Sequence, residues 1–82
     1  MVLTDTQRQD ILDSIDFALT ADYSDGNSFE IDLMDSILIE FDSEDCVNIN
    51  FTFSKDGKRV SLTIDETMSR EAIFEEILER MG

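Results

Sequence analysis

The chain has 82 residues, 41% of them hydrophobic and six of them Phe. That composition suits one globular domain and excludes a disordered acidic tail, which would be poor in those residue types. Twenty Asp and Glu against six Lys and Arg give a net charge of −14, well beyond the magnitude of about 2–8 that solubility asks of a small domain.

Like charge opposes direct binding to nucleic acid or to an anionic membrane, and the surplus predicts a cationic protein partner. No apolar run approaches the ~18 residues of a membrane span. The N-terminal Met1-Val2-Leu3-Thr4-Asp5 lacks the basic start and apolar stretch of a secretion signal, and the single Cys46 has no intrachain disulfide partner. These features predict a cytosolic, cytoplasmic protein.

Taken in chain order, Thr4-Asp5-Thr6-Gln7 reads as a capping box, and Ile11, Leu12, Ile15, Ala18 and Leu19 then recur at helical spacing. The pattern predicts a helix over about residues 4–20. Asp10, Asp13 and Asp16 fall on its opposite side, with Phe17 projecting between Asp10 and Asp13. An aromatic there marks either a contact residue or a side chain packed under the following loop at Tyr23. Residues 23–28 read as that loop, and the period then changes from 3.6 to 2.

Phe29, Ile31 and Leu33 alternate with Glu30, Asp32 and Met34, and Ile37, Ile39 and Phe41 alternate with Leu38, Glu40 and Asp42. Val47, Ile49, Phe51 and Phe53 alternate with Asn48, Asn50 and Thr52, and Val60, Leu62 and Ile64 with Ser61 and Thr63. Each run is a half-buried strand. Turns fall at Asp35-Ser36, at residues 42–45 and at Asp56-Gly57, the last a good hairpin signal. A final helix begins near Thr67 or Ser69, with Ile73, Phe74, Ile77, Leu78 and Met81 as its apolar stripe. The predicted fold is α+β: an N-terminal helix, a four-strand antiparallel meander and a C-terminal helix, with both helices on one sheet face. Ile15, Leu19, Ile39, Phe51, Leu62, Phe74 and Ile77 are the expected core.

Catalytic chemistry finds little to use. The chain has no His, so neither a Ser-His-Asp nor a Cys-His arrangement can form. Zinc would have one Cys and carboxylates, without paired spacing. With only Gly26, Gly57 and Gly82 there is no phosphate-binding Gly-rich loop. A calcium loop aligned on Gly26 puts Ala21 at the first ligand position, and one aligned on Gly57 puts Thr52 there. Both lack the first carboxylate. The expectation is a non-enzymatic protein that binds no metal and no cofactor.

The acidic surface is the constellation that remains. Glu30, Asp32, Glu40 and Asp42 should all point away from the core on two adjacent strands. Repeats of ~6.8 Å along a strand and ~4.8 Å across strands make a negative lattice of the same order as the phosphates of a nucleic acid. Asp35, Glu44 and Asp45 extend it at the loops, and Asp10, Asp13 and Asp16 around Phe17 form a second patch. On the last helix, Glu71, Glu75, Glu76 and Glu79 read as a solvated face, with Glu76 and Arg80 an i,i+4 pair.

Two resemblances follow. Asp35-Ser36-Ile37, with Asp32-Leu33 upstream, resembles the Asp-Ser-Leu motif of acyl carrier proteins, which are also short and acidic. That resemblance implies phosphopantetheine on Ser36 and a helical bundle, whereas the alternation through Ile37 and Ile39 places Ser36 in a turn between strands. In length, charge and lack of catalytic residues the whole chain is similar to phage-encoded acidic inhibitors that mimic nucleic acid, the anti-CRISPR and anti-restriction proteins. That resemblance implies an inhibitor acting in the host cytosol on a basic nucleic-acid-binding protein. An immunity protein or antitoxin against a nuclease toxin would use the same electrostatics. The sequence leaves the oligomeric state open.

Overall fold

A computed structural model describes residues 2–82. Its elements run α1 (Asp5–Thr20), β1 (Ser28–Leu33), β2 (Ile37–Asp42), β3 (Ile49–Lys55), β4 (Lys58–Ile64) and α2 (Arg70–Met81). The strands form one antiparallel sheet in the order β1-β2-β3-β4, so the fold is the α+β meander between two terminal helices that the sequence predicts. Among the described residues no helix is long and apolar enough to cross a membrane.

Local signals set the helix ends. The Gln7 N–H donates to Thr4 Oγ1 at 3.1 Å while the Thr4 N–H donates to Gln7 Oε1 at 2.8 Å, which completes the capping box. At the other end of α1 the buried Tyr23 donates its hydroxyl to the Ala18 carbonyl, one of the helix's orphan acceptors. Burial, aided by the Asp42 charge, pushes the Tyr23 phenol up to about 12. Ser69 caps α2 by accepting the Ala72 N–H at 3.1 Å, and the Gly82 N–H closes the helix on the Leu78 carbonyl.

Strand register then fixes which side chains meet. Phe29, Phe41, Phe51 and Leu62 line up across the four strands, as do Ile31, Ile39, Phe53 and Val60. The Phe29 and Phe41 rings stack with centroids 5.4 Å apart, and Phe41 and Phe51 at 6.1 Å. This apolar face joins Ile11, Ile15 and Ala18 of α1 and Ile73, Phe74, Ile77 and Met81 of α2 in a single core. Outside the core, Arg8 of α1 sits over the Phe74 ring of α2, 5.2 Å from its centroid.

Two of the seven expected core positions, and one strand position read as inward, differ. Val47 is exposed rather than inward, because β3 begins only at Ile49. The Asp45 carboxylate takes up the N–H groups of Val47 and Asn48, leaving neither for a strand ladder, and Cys46 adopts a positive φ of 62°. Leu19 and Leu62 are half-buried rather than inaccessible. Leu19 lies at the end of α1, and Leu62 lies on an edge strand with one neighbouring strand instead of two. The other five, Ile15, Ile39, Phe51, Phe74 and Ile77, are buried.

Phe51 is fully buried at the middle of the aromatic row. Truncation of Phe51 to Ala should therefore cost about 3–5 kcal/mol, a large share of the roughly 5–15 kcal/mol that holds a domain folded. Urea unfolding followed by circular dichroism measures it; a loss under 1 kcal/mol would mean that the core does not close on this ring.

Candidate functional site

Alternation places the side chains that face away from both helices. On β1 and β2 they are Glu30, Asp32, Leu38, Glu40 and Asp42, and Glu30 stands directly opposite Glu40. On β3 and β4 they are short and polar apart from Arg59: Asn50, Thr52 and Ser54 stand opposite Thr63, Ser61 and Arg59. The four acids expected on two adjacent strands thus share one outer sheet face. Glu30 and Asp32 accept no hydrogen bond and make no ion pair among the described residues, whereas the Asn50 side-chain amide donates to Asp42 at 3.2 Å. An open depression of about 680 Å³ lies over this face, lined by Glu30, Glu40, Asp42, Asn50, Thr52 and Arg59.

Arg59 on this face is a residue that the sequence reading missed. Its guanidinium reaches across β3 to Glu40 at 3.9 Å, but both side chains are largely in solvent, where such a pair is weak. The Ser54 hydroxyl beside it is buried without a hydrogen-bond partner. Placement of the cations gives the face its asymmetry. From Gln9 to Ser54 the chain holds twelve Asp and Glu and no Lys or Arg. That run carries β1, β2, most of β3 and the loops between them, so the β1 side of the molecule has no positive side chain of its own. The uninterrupted run was readable directly from the sequence.

The loop acids are disposed differently from the strand acids. Asp35 lies in the β1–β2 turn and accepts from Gln7 of α1, so it leans toward the helical layer at one end of the strands. Glu44 and Asp45 lie in the β2–β3 loop at the other end. Glu44 is exposed, and Asp45 is built into its loop. The Asp45 carboxylate accepts from the Val47 N–H at 2.9 Å, from the Asn48 N–H at 2.7 Å and from the Asn48 amide at 3.0 Å. The Val47 N–H first, then those of Asn48, hold its carboxyl at about 2. Buried Ser43 completes the loop, accepting from the Cys46 N–H and donating to the Asn48 carbonyl.

The helix-one patch is less free than the strand face. Asp16 accepts from the Arg70 guanidinium at 2.6 Å, and Asp13 accepts from the Gln9 amide at 2.8 Å, which leaves the Asp10 side chain without a partner among the described residues. Phe17 is 48% exposed, yet its ring stands edge-on to Phe29 at 5.4 Å and tilted to Phe41 at 5.7 Å. It packs over the end of the aromatic row, against both rings, and Tyr23 packs on the same Phe29 ring.

Chemically, the arrangement keeps negative charge. The Ser24 side chain and N–H lower the Asp22 pKa, and the backbone N–H of Glu71 together with Arg70 lowers that of Glu71. These shifts, like that of Asp45, run opposite to the raised pKa of a carboxylic general acid. Among the described residues no three carboxylate or thiol groups converge on a metal-sized point, so the charge is spread rather than chelating. Ser36 sits in the β1–β2 turn with φ 62°, and no helix starts there. The helical bundle that the carrier resemblance implies is replaced by the meander. Comparison with protein families, with curated proteins and with solved structures returns no match for the chain.

The Asp45 loop gives a pH test. Its folded-state pKa of about 2 lies below its ordinary 3.8, so its ionised form stabilises the fold above about pH 4 and that contribution is lost as pH falls through about 2. Asp45→Asn should lower the melting temperature at pH 7, and the gap from the parent protein should close between pH 4 and 2. A gap unchanged at pH 2 would show that the charge on Asp45 plays no part in holding the loop.

Proposed function

We propose that the chain is a non-enzymatic inhibitor that presents its acidic surface to a basic nucleic-acid-binding site on a target protein, in the manner of a nucleic-acid mimic. The observation that carries this reading is the outer sheet face, where Glu30 and Glu40 stand directly opposed with Asp32 and Asp42 alongside. Like charges placed opposite one another on a sheet are destabilising by up to about 1 kcal/mol. An arrangement that costs stability and leaves Glu30 and Asp32 without any partner among the described residues is accounted for by an external cation set. The face is an open, largely polar depression rather than a deep apolar cleft, which suits a macromolecular surface better than a small molecule. The cation-free run from Gln9 to Ser54 supports the same reading, because it lets the field of these acids extend unopposed toward an approaching partner.

The test compares two charge reversals of equal size. One carries Glu30→Lys, Asp32→Lys, Glu40→Lys and Asp42→Lys; the other carries Glu66→Lys, Glu71→Lys, Glu75→Lys and Glu79→Lys. Each immobilised protein is exposed to nuclease-treated bacterial lysate, and captured proteins are identified by mass spectrometry and assayed for nucleic-acid binding. The parent and the second variant should retain a nucleic-acid-binding protein that the sheet-face variant loses, and retention should weaken as salt shortens the ~8 Å screening length. The bound protein should release its nucleic acid. Equal loss in both variants would mean that only bulk charge matters. Capture of proteins with no nucleic-acid site would sink the reading.

A further inference from the structure

The sheet has two edges, and they are finished differently. On β4 the Arg80 guanidinium donates to the Ser61 carbonyl at 3.4 Å, and Lys58 and Arg59 stand at the strand's start. Charged side chains laid on an edge strand are a common way of closing it to further pairing. On β1 the charged side chains are the acids Glu30 and Asp32, which discourage pairing with another acidic strand but not with a cationic one. Its residues Ser28 to Leu33 include no Pro, Gly, Lys or Arg, and no side chain or loop among the described residues hydrogen-bonds its backbone. In an antiparallel edge strand every second residue turns its N–H and C=O outward. The inner-face side chains are also incompletely covered: Phe29, Ile31 and Leu33 are half-buried, while their neighbours Phe41, Ile39 and Ile37 are at most 2% exposed. The outer-face side chains of the same strand are the unpartnered Glu30 and Asp32.

From this we infer that the β1 edge accepts an extended segment of the partner as a fifth strand. The segment alternates apolar residues, which cover Phe29, Ile31 and Leu33, with Lys or Arg, which face Glu30 and Asp32. The inference rests on the proposed acidic-surface reading and adds the mode of contact: main-chain pairing supplies affinity, and alternating side chains supply selection. A second copy of this chain is a poor occupant. Pairing two β1 strands antiparallel at full overlap sets Glu30 against Ile31 and turns the helical layers to opposite sides of the sheet. A slip of one residue that restores the faces sets Glu30 against Asp32, like charge against like. A strand bearing cations at alternate positions removes that conflict.

The experiment uses the full chain and a capped six-residue peptide of alternating valine and lysine, matching the length of β1. A second peptide has the same residues with every amide nitrogen methylated, which keeps charge and side chains but removes the donors. Binding is followed by NMR titration and by amide hydrogen exchange. The first peptide should bind, slow exchange in β1 by about tenfold or more relative to β4, and weaken at about 1 M salt, where the screening length is about 3 Å. The methylated peptide should bind about tenfold more weakly or not at all.

Equal, salt-sensitive binding of both peptides would overturn the edge inference and leave the acidic-surface reading standing. Donor-dependent binding unaffected by salt would overturn both. Binding of neither peptide, or protection centred on β4, would overturn the edge inference. Protection of β1 that grows with protein concentration in the absence of peptide would identify a second copy as the occupant and overturn it as well.

Discussion

Everything in this molecule depends on strand register. The pairing that sets Phe29 beside Phe41 and Phe41 beside Phe51 is also the pairing that sets Glu30 beside Glu40. The two outcomes cannot be separated, because side chains alternate with a period of two and a slip of one residue exchanges the faces. Magnitudes decide which wins. Burial of one aromatic side chain is worth about 1.5–3 kcal/mol, and the row contains several. A like-charge pair across strands costs less than about 1 kcal/mol in water. The core therefore sets the register, and the acidic face is carried along with it.

The acids divide by what they do for the fold. Some are used as loop acceptors: Asp22 takes the Ser24 N–H, Asp45 those of Val47 and Asn48, and Asp65 that of Thr67. These hold turns that contain no Pro, and Asp45 serves a loop with a positive φ at Cys46. Others meet a cation at a helix, as Asp16 does with Arg70 and Glu76 with Arg80. Such exposed pairs contribute little to stability. Glu30 and Asp32 belong to neither group. Among the described residues the side chains of Asp10, Asp25, Glu44, Glu66, Glu75 and Glu79 are equally without a partner, and what distinguishes Glu30 and Asp32 is their place on one strand face, with Glu30 opposite Glu40, inside a run that has no Lys or Arg.

Most of the architecture was legible because its signals are local and strong. The capping box at Thr4, the change of period at Phe29 and the Asp-Gly turn at Asp56 each follow from short-range chemistry, and the structure uses all three. The outward placement of Glu30, Asp32, Glu40 and Asp42 follows from the same alternation. What stayed hidden depends on side chains meeting across distance. Val47 fits the apolar alternation, but the Asp45 carboxylate captures the backbone ahead of β3, and no period reports that competition. Phe17 was ambiguous because it stands on the polar side of α1. Its place is set by the Phe29 ring, which lies twelve residues further along the chain. The approach of Arg59 to Glu40 needs β3 between them and is invisible without the register.

Side-chain length gives the outer face its shape. The β3 and β4 positions carry Asn50, Thr52, Ser54, Ser61 and Thr63, all short, while β1 and β2 place the longer Glu30 and Glu40 opposite each other and β4 ends its row with Arg59. The result is a low polar floor with a charged rim, the depression of about 680 Å³ over the sheet. A single ammonium or guanidinium entering from the β1 side would meet carboxylates on one flank and hydroxyl and amide oxygens beneath. A long cationic side chain needs that combination, because its several N–H donors cannot all be satisfied by one carboxylate. Charge alone would attract any cation at a distance of about one Debye length. Closer in, a cationic partner of the kind proposed would be selected by whether its donors reach this floor while its backbone runs along the rim.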